Sequence, residues 1–284
     1  MVDQAEYLRK LVSRDTRILM IASGRKEAGV SNLAVNLAVQ LAAREQSVIL
    51  MDADTRGTKY PVHSLMGVLP RYTFTDMLTG EHEIGDILTN TPYGIQLIAG
   101  VSGMADVADL GSDQRKRFID GLEKLSWVDY IIIDAGAGST EHIVDSILAS
   151  EDVIVVVTPE KNSVKDTYGL VKGLSACPRS IIPNIHVVAN RVISNSCGRS
   201  LAEALQSAAK RFLSLNVQYS GTVPEDEYVR KGMAASEQIP FSVRYPHCEA
   251  SLGIKRIVEE ISHQRVTNNR GSGVSGMIQR LFMQ

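Results

Sequence analysis

At 284 residues with 44% hydrophobic content, the chain is long enough for one sizeable core, and no stretch approaches the roughly 18 apolar residues of a membrane-spanning helix. Its 30 Lys and Arg against 32 Asp and Glu give a formal net charge of −2, which argues against a protein whose main task is to coat nucleic acid. Cys177, Cys197 and Cys248 lie far apart with no C-x-x-C spacing, and the six histidines are scattered, so a disulfide scaffold, a zinc site and an iron–sulfur carrier are not expected. The N-terminal run MVDQAEYLRKLVSRD is charged from Asp3 and has no apolar h-region. The chain is therefore expected to be cytoplasmic.

In chain order, residues 1–14 read as a short amphipathic helix with Gln4, Leu8, Leu11 and Val12 on one face. Arg17–Ala22, Ser47–Met51, Ile95–Ile98, Tyr130–Ile133, Asp152–Val157 and Ile185–Ala189 read as buried strands, and Gln218–Val223 as a weaker seventh. Between the first two strands, Val30, Leu33, Ala34, Leu37, Ala38 and Leu41 mark one face of a helix. Strands that are almost continuously apolar need cover on both faces. The fold class is therefore α/β: a doubly wound, mostly parallel sheet with helices on both faces, spanning residues 15–263 as one domain without internal repeats. Trp127, just before a strand, is expected to pack into the core. Residues 264–275 are polar and glycine-rich and read as a flexible tether. The last segment, 276–284, reads as an amphipathic helix, and Val274, Met277, Ile278, Leu281 and Phe282 share its apolar stripe.

The first strand runs into Ser23-Gly24-Arg25-Lys26-Glu27-Ala28-Gly29-Val30-Ser31-Asn32 and then a helix, the context of a phosphate-binding loop. This segment resembles the deviant Walker A loop of the MinD/ParA family, G-K-G-G-V-G-K-T-N. Gly24, Gly29, Ser31 and Asn32 match that pattern. The signature lysine is Arg25, two glycines are Lys26 and Glu27, and the phosphate-gripping lysine is Val30. The resemblance continues over nearly the whole chain. Asp52 and Asp54 match the family's magnesium-side and water-orienting aspartates, and Asp134 in YIIIDAGAG matches Walker B. Thr158-Pro159-Glu160 follows the next strand, Asn190-Arg191 match the adenine-side pair, and Pro224, Glu225 and Asp226 match the I-P-E-D turn.

The resemblance implies a P-loop NTPase fold in which Gly24, Arg25, Lys26, Gly29, Ser31, Asn32, Asn190, Arg191, Pro224, Glu225 and Asp226 are vestigial nucleotide-side positions. Asp54 is the vestigial catalytic candidate, and Asp52, Asp134 and Ser31 would hold magnesium if nucleotide binds. Side chains in place of glycine obstruct the approach of phosphate to backbone N–H groups. Glu27 at about 5 Å from a triphosphate, at an effective dielectric near 20, costs roughly 3 kcal/mol, about a hundredfold in affinity. Valine offers no positive charge to the transferred phosphoryl group. No cofactor is therefore expected, weak ATP or ADP binding with magnesium stays open, and the chain is not expected to act as an enzyme. Arg25 and Lys26 are expected to fold inward onto Asp52, Asp54 or Asp134.

The ends narrow the resemblance. Asp3-Gln4-Ala5-Glu6 followed by Leu8-Arg9 is similar to the D-Q-A-x-x-L-R segment of the FlhG/FleN branch, the regulators of flagellar number and placement. That resemblance implies binding to an FlhF-type signal-recognition GTPase through Gln4, Leu8, Leu11 and Val12. It further implies flagellar transcription regulators or switch components as partners, and a homodimer. The C-terminal stripe with Arg280 beside it, without acidic residues from Gln264 onward, is expected to act as a weak interfacial anchor. It would place the protein peripherally at the anionic inner face of the cytoplasmic membrane. Packing of that stripe on the body is the competing reading. The competing functions are a hydrolysing MinD-type ATPase and a ParA-type DNA-associated partitioning protein, and strong nucleic-acid binding is not expected.

Overall fold

A computed structural model describes residues 16–54, 61–100, 110–137, 140–235, 238–263 and 273–282, with the side chains of 140–142 excepted. The apolar runs become strands of one eight-stranded sheet: β1 (Arg17–Ser23), β2 (Val48–Asp52), β3 (Thr89–Asn90), β4 (Ile95–Ile98), β5 (Tyr130–Ala137), β6 (Asp152–Val157), β7 (Asn184–Val192) and β8 (Val217–Pro224). Their order is β3-β4-β2-β5-β1-β6-β7-β8, parallel throughout except for the short antiparallel β3–β4 pair. The two-residue β3 carries no apolar signal.

The strands sort their side chains with a period of two. In β1, Ile18, Met20 and Ala22 enter one core, and Leu19 and Ile21 enter the other. The first core is closed by α4 (Ser112–Glu123), α5 (Thr140–Leu148), α6 (Ser163–Ser175) and α7 (Asn195–Ala208). The second is closed by α1 (Val30–Ala42), α2 (Val62–Leu65) and α10 (Glu249–His263), with α8 (Glu227–Ala234) and α9 (Phe241–Arg244) packed beside them. The short α3 (Phe74–Thr79) joins the first core through Phe74 and Met77. β1 lies between β5 and β6: after β1 the chain turns towards β2 on one side, and it later crosses from β5 past β1 to β6 on the other. The C-terminal end of β1 is thus the switch point at which open α/β sheets bind ligands.

The N-terminal ends of the strands carry a polar network that the apolar pattern hides. Arg17 Nε meets Asp152 Oδ2 at 2.7 Å, and its Nη1 donates to the Ile261 carbonyl of α10 at 2.5 Å. His186 spans Asp152 Oδ1 (3.2 Å) and the Ser220 hydroxyl (3.0 Å), and Asn184 Nδ2 donates to the same carboxylate at 3.0 Å. The Ser–His–Asp order is that of a hydrolase triad, but Ser220 and His186 are 3% and 1% exposed, so no substrate reaches them and the group acts as a pin between strands.

The C-terminal segment differs from expectation. α11 spans Gly273–Phe282, so Gly273, Val274 and Ser275 are helical where the sequence reads as tether. Gly273 has a φ of +70° and donates its N–H to the Glu151 carboxylate, which fixes the start of the helix there. Burial pushes the Glu151 carboxyl up, against the hydrogen bond from Gly273. The stripe expected to meet a membrane lies against the body: Val274 and Met277 are buried, and Ile278, Leu281 and Phe282 pack on the first core. The Phe282 ring stands edge-on to Phe118 at 6.0 Å under the Arg115 guanidinium (4.5 Å), and Arg280 Nε donates to the Ala149 carbonyl at 3.2 Å. The physical reason is the open apolar surface between α4, α5 and β1, which the stripe covers at about 1.5–3 kcal/mol per fully buried side chain. Trp127, expected in the core, is 44% exposed. Residues 1–14, with Gln4, Leu8, Leu11 and Val12, lie outside the described residues. Among the described residues no helix is long and apolar enough to cross a membrane.

Burial pushes the Asp152 carboxyl up, but the hydrogen bonds from His186 and Arg17 and the Arg17 charge outweigh it and hold the group well below the usual carboxylate range. A carboxylate depressed on folding contributes stability that is complete above its unfolded value, near pH 4, and is lost as pH falls towards the folded value. Asp152→Asn leaves Arg17 buried without its counter-charge and is expected to cost about 3–5 kcal/mol in urea unfolding at pH 7. The difference from wild type should shrink below about pH 4. A loss of under about 1 kcal/mol at pH 7 would show that the pair carries little.

Candidate functional site

Contacts with α6 and β7 hold the frame of the loop after β1. A Cβ on Gly24 would lie 2.2 Å from the Asp166 carbonyl oxygen, so only glycine lets the loop pass against the first turn of α6. Gly29 has a φ of +85° and precedes α1, and a Cβ there would meet Asn190 Nδ2 at 2.5 Å. Asn190 closes the loop from β7 by donating to the Ala28 carbonyl at 2.9 Å. Between the two glycines, Glu27 has a φ of +61°, a region that costs an L side chain about 1–2 kcal/mol. Glu27 and Lys26 are both exposed. Val30 is 5% exposed and packs into the second core with Leu33 and Ala34, so nothing at this position reaches towards the loop mouth.

Three carboxylates lie on the β2–β5 side. Asp52 and Asp134 are register partners on adjacent strands, and a Cβ on Gly136 (φ +64°) would sit 2.3 Å from Asp54 Oδ2. Asp52 Oδ1 accepts the Asp54 N–H at 3.2 Å, and Asp134 Oδ1 accepts the Gly136 N–H at 2.9 Å. Asp134 is wholly buried, and its Oδ2 accepts no hydrogen bond among the described residues. Burial pushes its carboxyl up to about 7, with Asp52 and Asp54 adding to the rise against the Ser31 hydroxyl and the Gly136 N–H. Burial likewise raises Asp52. Clustered hard oxygen donors, one of them buried and accepting no hydrogen bond among the described residues, suit a magnesium ion that keeps most of its water. Among the described residues no three acidic, His or Cys side chains converge as a protein-only metal cage.

The expected inward pairing of Arg25 and Lys26 onto Asp52, Asp54 or Asp134 is not seen among the described residues. Arg25 Nε meets Glu160 Oε2 at 3.2 Å, and its Nη1 meets Asp166 Oδ2 at 3.5 Å. Glu160 also binds Arg191, which has a φ of +55°. The cause is the seat of Gly24 on the α6 backbone, which turns the next side chain towards β6 and α6 and away from β2 and β5. Glu160 is therefore the counter-charge that the sequence reading left without a role. The signal for it was an acidic residue directly after a strand that neighbours β1.

The remaining predicted positions support the rim. Pro224 pairs with Val192 across β7–β8, and the Glu225 N–H donates to the Val192 carbonyl at 2.8 Å. The Asp226 carboxylate caps α8 through the Tyr228 N–H (2.9 Å), and Asn32 Nδ2 lies 3.8 Å from Met233 Sδ. The structure thus gathers Ser31, Asp52, Asp54 and Asp134 into one cluster and Arg25 and Arg191 into another. Because Glu27 occupies a conformation that suits glycine, Glu27→Gly is expected to raise stability by about 0.5–1 kcal/mol and Glu27→Val to lower it by about 1–2 kcal/mol. Thermal unfolding checks both, and a destabilising Glu27→Gly would show that the backbone here is unstrained.

Comparison with known proteins agrees with this geometry. The profile of the family described as "ParA: NUBPL iron-transfer P-loop NTPase" matches residues 14–262. The antiactivator FleN of Pseudomonas aeruginosa is 29% identical over 266 residues, 93% of each chain. The flagellum site-determining protein YlxH of Helicobacter pylori is 29% identical over 219 residues, 76% of this chain and 72% of that protein. The cell division ATPase MinD of Pyrococcus furiosus superposes with a TM-score of 0.68 at 23% identity, covering 87% of this chain and 98% of that one, which supports the fold alone. The chain belongs to the ParA/MinD family of P-loop NTPases and, within it, is similar to the FleN- and YlxH-type flagellar proteins.

Proposed function

We propose that this chain regulates flagellar number or placement, or related polar machinery, as a binding protein with little or no ATP hydrolysis. The observation that carries this reading is the destination of the loop's side chains. Val30 is buried in an apolar core where the family pattern has a phosphate-gripping lysine, and Arg25 is held by Glu160 and Asp166. Phosphoryl transfer depends on positive charge fixed at the transferred group, and this loop supplies none there. Asp52, Asp134 and Ser31 keep the oxygen donors of a magnesium site, whose ion would supply charge neutralisation beside a phosphate. Asp54, the vestigial catalytic position, lies against Gly136.

In this reading the exchange of partners takes the place of nucleotide turnover. The N-terminal segment, with Leu8, Leu11 and Val12 as apolar anchors and Gln4 as its polar reach, engages an FlhF-type GTPase. Flagellar transcription regulators or switch components are further partners, and a homodimer would pair two copies of each tail. Val274, Met277, Ile278, Arg280, Leu281 and Phe282 reach the inner face of the cytoplasmic membrane only if α11 leaves the core it covers, so membrane contact through them is a conditional state. The similarity to FleN over 93% of both chains favours this role over partitioning of DNA.

Phosphate release tests the reading. Wild-type protein with ATP, magnesium and anionic vesicles is expected to stay at background. A loop rebuilt by Lys26→Gly, Glu27→Gly and Val30→Lys is expected to gain at least tenfold over it, the scale of one restored charge contact of about 1.4 kcal/mol or more. Turnover by the wild type that equals or exceeds the rebuilt loop would refute the reading.

A further inference from the structure

The chain's near-neutral charge hides a strong local bias. Between Asp166 and Glu225 the sequence holds six Lys or Arg and one acidic residue, Glu203. Arg191 is paired with Glu160 at the loop end of the sheet, and Arg199 lies over the Tyr219 ring at 4.9 Å. Lys172, Arg179, Lys210 and Arg211 are exposed. Lys210 and Arg211 lie in a π-helical turn, Ala209–Leu213, that extends α7 and ends at Ser214 with a φ of +53°. Wide turns of this kind re-aim side chains and recur at functional positions. This one is held by Arg179, whose Nη1 and Nη2 donate to the Ser214 and Leu213 carbonyls at 2.6 and 3.0 Å. It presents Phe212 at 67% exposure with the Arg211 guanidinium 5.3 Å from its ring, and Arg179 and Leu215 line a depression with Ile182 and Pro183.

We infer that this basic and aromatic turn is a contact site for an anionic lipid surface. A large exposed aromatic flanked by cations is costly in water and suits the interface, where the ring enters the headgroup boundary while Lys and Arg remain at the phosphates. Among the described residues neither Lys210 nor Arg211 forms an ion pair, so both charges are available. Arg179 is committed to the turn itself. Two available cations are few for duplex nucleic acid, which requires many phosphate contacts, but they are effective beside one apolar plug at a charged bilayer. The turn precedes β8 and so lies at the N-terminal ends of the strands, the same end at which Glu151 holds the start of α11. The choice of lipid rests on the membrane reading above, but the site is separate from α11 and binds while α11 stays docked.

Co-sedimentation of the full-length protein with phosphatidylcholine vesicles containing phosphatidylglycerol, and with pure phosphatidylcholine vesicles, tests this. Wild type is expected to bind the anionic vesicles and to be released by salt. Each Lys or Arg at such a surface contributes roughly fivefold, so Lys210→Gln/Arg211→Gln is expected to lose roughly 25-fold in apparent affinity. Phe212→Ser is expected to lose at least threefold, and all three side chains are exposed, so the thermal melt should be unchanged. Leu281→Ser/Phe282→Ser separates the two membrane readings. Loss of binding in the turn variants, whether or not the α11 variant also loses it, supports the site. Wild-type binding that survives in the turn variants, and is lost only with the α11 variant, overturns the site and leaves α11 as the anchor. No vesicle binding by wild type overturns both. A turn whose variants lose retention of a DNA fragment but not of vesicles is a nucleic-acid site, which also overturns the proposal.

Discussion

Positive charge at the C-terminal end of β1 turns away from the aspartates of β2 and β5 and settles on Glu160 and Asp166. The remainder of the site follows from that choice. Gly24 is pressed against the backbone of α6, so the residue after it departs on the β6 side. Asp134 has a buried oxygen that accepts no hydrogen bond among the described residues, and burial beside Asp52 and Asp54 raises its carboxyl to about 7. The oxygen donors of the cluster suit a cation, and neither Arg25 nor Val30 brings positive charge to it.

Legibility in the sequence followed how local each cause is. The six main strands were readable because both sheet faces are covered, which makes each run apolar without interruption. The loop glycines were readable because Gly29 lies at a positive φ and Gly24 touches a neighbouring backbone. The partner of Arg25 was not readable, because it depends on how α6 meets the loop across a long sequence separation. The Arg17–Asp152–His186 pin was equally hidden: polar residues at or near strand starts look like ordinary strand boundaries. The amphipathic stripe of α11 was readable from periodicity, but periodicity does not say whether an apolar face meets lipid or protein. The gap left between α4, α5 and β1 decided that.

The two ends of the sheet have separate roles in this chain. The C-terminal ends of the strands hold the inherited loop, closed by Asn190 and the Glu160 pairs. The N-terminal ends hold Arg17, Asp152 and the Glu151 carboxylate that starts α11, together with the basic turn after α7. Here the first end is tied by ion pairs within the chain. On the proposed function, a partner or surface that takes up the α11 stripe must offset the contacts of the docked helix, a threshold of a few kcal/mol.

On the proposed function, the loop lacks a grip on linked phosphates while the carboxylate side keeps its donors. Calorimetric titration of the wild-type protein with ATP in excess magnesium tests it most directly. The expected dissociation constant is about 100 μM or weaker, since the missing lysine and the Glu27 carboxylate together remove several kcal/mol from a family-like site. Saturable binding at about 1 μM or tighter would contradict it.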